Sequence, residues 1–152
     1  MKFILDDGGR QNAGYKGTTG DCVTRAIAIA SEQPYEKVYD SLNKVREGMR
    51  QTKRVRVGNS RTGCPIPVLK KYLEQLGWAW TPLMWIGSGC KVHLRDGELP
   101  MGRLIVRCSR HLAAVIDGVL HDNHDSSRDG TRCVYGYWRR ETNPQTTKEA
   151  VW

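Results

Sequence analysis

Asp117-Gly118 stands between two alternating runs, His111-Leu112-Ala113-Ala114-Val115-Ile116 and Val119-Leu120-His121-Asp122-Asn123-His124. An Asp-Gly pair in that position signals a two-residue hairpin turn, whose central residues must take positive φ. The turn fixes the register: Ile116 faces Val119, Ala113 faces Asp122 and His111 faces His124. Side chains alternate along strands, so one face carries His111, Ala113, Val115, Leu120, Asp122 and His124. The other carries Leu112, Ala114, Ile116, Val119, His121 and Asn123. His111 and Asp122 become diagonal neighbours, separated by roughly the 7–8 Å backbone spacing that long side chains bridge. A carboxylate there accepts from one ring nitrogen, fixes the tautomer and leaves the other nitrogen for a reacting group. A three-residue turn would slip the register by one. Asn123 is therefore the reserve orienter, with Asp125 third.

A base needs a nucleophile, and Gly20-Asp21-Cys22-Val23-Thr24-Arg25-Ala26-Ile27-Ala28-Ile29-Ala30 supplies a candidate. The stretch reads as a loop, a helix cap at Asp21, and a helix whose first turn carries a cysteine. Open N–H groups and the positive dipole end at a helix start favour a thiolate. Apolar positions at Cys22, Ala26, Ile29 and Ala30 turn that cysteine toward the core. The small residues Ala113 and Ala114 leave room for this helix to pack on the hairpin, with Cys22 near His111. The bland alternative is an inert buried cysteine, the commoner fate of a free thiol.

The remaining chain reads as helices followed by a sheet. Residues 2–5 form a short edge strand, and the glycine-rich stretch 6–20 is loop. Helices are expected over 21–31, 34–47 and 65–76, opened in the latter two by Pro34 and Pro65 and stopped by Gly77. On the second helix Tyr35, Val38, Tyr39, Leu42 and Val45 form the apolar stripe, with Lys37, Asp40, Lys44 and Arg46 outward. Strand patterns follow at 78–80, 83–86, 103–108, 111–116, 119–124 and 133–140. The expected class is α+β, with N-terminal helices against a C-terminal antiparallel sheet, in one domain over 1–152. Residues 48–63 are expected as a basic flexible loop and 142–152 as a frayed tail.

Five widely spaced cysteines, an odd number with no C-x-x-C pair, argue against a disulfide framework and against a zinc finger. No apolar run has the length of a signal peptide core or a membrane span, so a soluble, cytoplasmic protein is expected. The balance of 24 Lys+Arg against 16 Asp+Glu gives +8, which suits nucleic acid, an anionic surface or an acidic protein and selects none of them.

Cys22, His111 and Asp122, in that order, resemble the catalytic residues of papain-like cysteine peptidases, particularly small bacterial and phage members. The resembling pieces are Gly20-Asp21-Cys22 with its alanine-rich helix, and the hairpin from His111 to Asp122. The resemblance implies a cysteine-headed helix on an antiparallel sheet and a thiol hydrolase that needs no cofactor and no metal. Its substrate would be a protein or peptide, cleaved at a peptide, isopeptide or amide bond through a thioester. The family's upstream glutamine, which donates to the oxyanion, is replaced here by Lys16, and one branch's glycine after the cysteine is Val23. Oxyanion donors are therefore sought among the Cys22 N–H, Thr18, Thr19, Gln11 and Asn12.

Three other readings compete with this one. A cell-wall amidase would use the same Cys-His pair. An inactive fold of this kind would act as a binding or inhibitory protein, for nucleic acid or an acidic partner, through the basic loop and Trp78, Trp80 and Trp85. A metal site would draw on His121, Asp122, His124, Asp125 and Cys133, against strand alternation, which separates His121 from His124. In the enzyme reading, Arg54 and Arg56 are candidates for a lid or clamp on an acidic substrate.

Overall fold

A computed structural model describes residues 1–15, 21–49 and 64–141. The elements are β1 (Lys2–Leu5), α1 (Cys22–Ser31), α2 (Tyr35–Glu47), α3 (Ile66–Gln75), β2 (Trp78–Pro82), β3 (Arg103–Cys108), β4 (His111–Ile116), β5 (Val119–Asp122) and β6 (Gly136–Arg140). Proline precedes α2 and α3, where a fixed φ starts a helix without losing an intrahelical bond. The class is α+β, as the pattern indicates. The six strands form one sheet in the order β1-β5-β4-β3-β6-β2.

That sheet is mixed, not antiparallel. β1 is an edge strand, as expected, but it runs parallel to β5, with Lys2 opposite Val119 and Leu5 opposite Asp122. All three helices and three strands intervene between the two, a connection long enough for a parallel pairing. The hairpin register is the expected one: Ile116 pairs with Val119 and Ala114 with His121. Asp117 and Gly118 both take positive φ, 49° and 78°, as the two-residue turn requires.

Strand alternation divides the apolar residues into two cores. On one face Ile105, Leu112, Ala114 and Trp138 pack under α1, α2 and α3, through Ala26, Ile27, Leu42, Leu69 and Leu73. On the other, Leu104, Val106, Ala113, Val115 and Leu120 pack under loop residues Leu94 and Val134. Only Ala114, not Ala113, therefore lies toward α1. Arg46, expected outward, is buried at 6% exposure.

The loop layer departs most from expectation. Residues 83–86 are not a strand, because the Ser88 hydroxyl bonds both the N–H and the carbonyl of Trp85 and closes a turn. Trp85 and Ile86 are left exposed. The last strand begins at Gly136, since Cys133 instead bridges to His93 and forms a disulfide with Cys90, their Cα atoms 5.8 Å apart. The cysteines thus include one bonded pair that spacing did not suggest. Trp78 is core, and Trp80 packs on Trp138 with ring centres 4.3 Å apart, so neither is an exposed stacking platform. No helix among the described residues is long and apolar enough to cross a membrane. The basic loop from 50 onward and the tail 142–152 lie outside the described residues.

Candidate active site

α1 is buried over nearly its whole length, from Val23 to Ala30. Packing on both sides therefore fixes the direction of its first residue, Cys22. Asp21 occupies the N-cap position but makes no capping bond. Its carboxylate instead accepts from Arg25 Nη1 at 2.6 Å and from the Tyr35 hydroxyl at 2.6 Å.

The candidate base comes from the start of β4. His111 Nε2 lies 2.6 Å from Asp122 Oδ2, the diagonal contact that the hairpin register predicts. Nδ1 is left for the Cys22 thiol, which lines the same cleft and whose nearness favours charge on the ring. By alternation His111 belongs to the face opposite α1. The two share a cleft because His111 is the first residue of β4, the strand on which α1 packs.

Charge follows this geometry. Burial alone pushes the Cys22 thiol up, but hydrogen bonds from His111 and Leu112, with the charges of His111 and Arg25, bring it below the ordinary value. Burial opposes charge on His111 too, yet Asp122 and Cys22 raise it to about 9. Asp122 is buried, which raises a carboxyl, but the imidazole, the Ser126 hydroxyl and the Asn123 N–H lower it to about 2. The other two free cysteines behave oppositely: burial pushes Cys64 and Cys108 each up to about 11. Of the three, Cys22 is the one whose surroundings favour the thiolate rather than oppose it.

Behind the pair lies a cation that the sequence reading missed. Arg25, 5% exposed, bonds Asp21 through Nη1 and Asp122 through Nη2, the latter at 3.3 Å. It joins the start of α1 to the end of β5 and shares Asp122 with Ser126, whose hydroxyl donates at 2.7 Å. The available signal was its setting, a single charge within a helix that is apolar all round, which calls for buried counter-ions.

Cys22 and His111 open on a cleft of about 430 Å³, walled by Val23, Cys64, Ile66, Arg107, Arg110 and Tyr135 among others. Gln11 and Asn12 are exposed and do not line it. Bonds to the Asp7 carboxylate, from the N–H groups of Gly9 and Gln11, hold their turn away from it. Thr18, Thr19, Arg54 and Arg56 lie outside the described residues. Asn123 carries its side chain to His124 and Asp125 takes the Ser127 hydroxyl, so neither orients His111.

His111, Asp122 and His124 each bring a potential metal ligand within 4.8 Å of one another. A cation there would compete for the proton between His111 and Asp122 and would face the Arg25 guanidinium. The other grouping considered does not assemble: His121 turns to Asp6, 3.6 Å away, and Cys133 is in the disulfide. No family model, no curated protein and no solved structure matches this chain.

Proposed function

We propose that the protein is a thiol hydrolase of the papain-like kind, cleaving a peptide, isopeptide or amide bond through Cys22, His111 and Asp122. The observation that carries this reading is the buried His111–Asp122 pair set beside one of three free thiols. Cys22 is lowered by an imidazole that a buried carboxylate holds, while Cys64 and Cys108 are raised.

In this mechanism the resting state is a Cys22 thiolate beside a His111 imidazolium. The thiolate attacks the substrate carbonyl and forms a C–S bond, while the carbonyl π pair moves to oxygen. The N–H groups of α1's first turn, which Asp21 does not cap, supply positive potential for that oxyanion. His111 gives its proton to the departing amine, the C–N bond breaks, and a thioester remains. Neutral His111 then takes a proton from water, whose oxygen displaces the Cys22 sulfur and restores the ion pair. Asp122 keeps its charge throughout and holds Nε2–H.

The test is the pH dependence of iodoacetamide alkylation, read residue by residue by mass spectrometry. Cys22 is expected to react well below pH ~8.5, the ordinary thiol range, and to lose that advantage in His111→Ala. Cys64 and Cys108 serve as internal comparisons and the unfolded chain as the burial control. If Cys22 in the folded protein titrates like an unfolded thiol, the hydrolase reading fails and a binding or inhibitory role replaces it.

A further inference from the structure

We propose that Arg107 and Arg110 form an anion subsite beside Cys22, so that the substrate carries a carboxylate or similar group next to the bond attacked. This rests on the thiol chemistry above and narrows it to a substrate class.

The placement of Arg107 follows from two periodicities. On β3, Arg103, Ile105 and Arg107 point to the helix face, where Ile105 packs in the core with α1. Arg103 grips the C-terminal end of α1, donating to the carbonyls of Ile29 and Ala30 at 2.7 Å each. Four strand residues advance about 13 Å, and eight helix residues, from Ala30 back to Cys22, advance about 12 Å. Arg107 therefore stands at the Cys22 end of the helix, as Arg103 stands at the other, and it lines the cleft.

Arg110 reaches the same cleft from the turn before His111. Its φ is 53°, a left-handed conformation that costs a side chain such as arginine about 1 kcal/mol and that glycine or asparagine would adopt more easily. A long cation in that position is unexplained by the turn.

What the two guanidiniums face is equally informative. Arg25, Arg103, Arg132 and Arg139 are each bonded to carboxylates or carbonyls of the fold. Among the described residues, Arg107 and Arg110 have no hydrogen-bonded or ion-paired side-chain partner, and no Asp or Glu lines the cleft. Two open cations flank a nucleophile with no acid to answer them.

The probe is a matched pair of alkylating agents, anionic iodoacetate and neutral iodoacetamide, applied to Cys22 at pH 7 and low salt. The quantity read is the ratio of the two rates in the folded protein. His111 also attracts iodoacetate, so the comparison is between variants that keep it. Arg107→Gln and Arg110→Gly are each expected to lower the ratio by about threefold, as for partly exposed charges, and added salt to lower the wild-type ratio. Arg110→Gly relieves the turn, so a folding defect does not confound it. An unchanged ratio in both variants overturns the subsite. An ordinary-thiol pH profile overturns the hydrolase reading instead, while the ratio still reports on the subsite. Should Cys22 react with neither reagent, phenylglyoxal labelling of Arg107 and Arg110 decides: protection by triglutamate but not trialanine supports the subsite, and equal labelling overturns it.

Discussion

Asp122→Asn keeps the shape of the orienter and removes its charge. In the wild type Asp122 and Cys22 together hold His111 at about 9, against 6.5 for an ordinary histidine, although burial opposes this. The same contact, with the Ser126 hydroxyl and the Asn123 N–H, draws Asp122 from 3.8 to about 2. At about 1.4 kcal/mol per pKa unit the two shifts correspond to roughly 2.5–3.5 kcal/mol, an upper bound for the one ion pair they share, counted once. The signs differ for the two groups. The raised His111 stabilises the fold fully below pH 6.5, and this is lost as pH rises through about 9. The depressed Asp122 stabilises it above pH 3.8, and this is lost as pH falls through about 2. In Asp122→Asn, burial acts on His111 with less opposition and Arg25, formerly 3.3 Å from the carboxylate, repels it. The destabilisation is therefore expected to be about 2–3 kcal/mol or more near pH 5.5 and to shrink above pH 9. Urea unfolding at pH 5.5 and 9.5 measures it, with the His111 ring titration followed by NMR. Equal losses at both pH values, with an unmoved His111 titration, would refute the ion-pair account.

Arg25→Met leaves Asp21 and Asp122 without their shared buried cation; a loss of about 3–5 kcal/mol is expected by chemical unfolding. Gly136→Ala puts a methyl group into the Trp80 ring and 2.7 Å from the Thr81 carbonyl, so thermal unfolding should show a loss of about 3 kcal/mol or more. Replacing Cys90 and Cys133 together by alanine opens a link across 43 residues and is expected to cost about 4 kcal/mol of stability. Since that link lies in the loop layer, Cys22 should keep its low-pH alkylation in folded protein.

How much could be read beforehand depended on whether the determining signal was local. Asp117-Gly118 dictates its own turn, and the turn dictates which residue meets His111, so the His111–Asp122 contact was legible from a dozen residues. The helices were legible from prolines and apolar period, to within a residue or so at each end. The parallel placement of β1 beside β5 was not, because nothing in residues 2–5 names a partner 117 positions on. Nor was the Cys90–Cys133 bond, which joins two loops whose approach only the sheet decides. Asp21 looked like a cap because capping is the local use of an aspartate. It serves Arg25 and Tyr35 instead, a choice made by packing between α1 and α2. Arg46 shows the same limit, reading as solvated by period and lying buried.

The Arg25 contact also sets an order of events. It ties the first helix to an aspartate 97 residues further along the chain. During synthesis from the N-terminus, Cys22 emerges with its helix long before the β4–β5 hairpin exists. Until that hairpin docks, the thiol has neither its imidazole nor the carboxylate behind it, and it remains as sluggish as any cysteine in a peptide. In the proposed hydrolase, nucleophilicity at Cys22 is thus a late product of tertiary closure, and the nascent chain would pass its most vulnerable stage without an active thiol of its own.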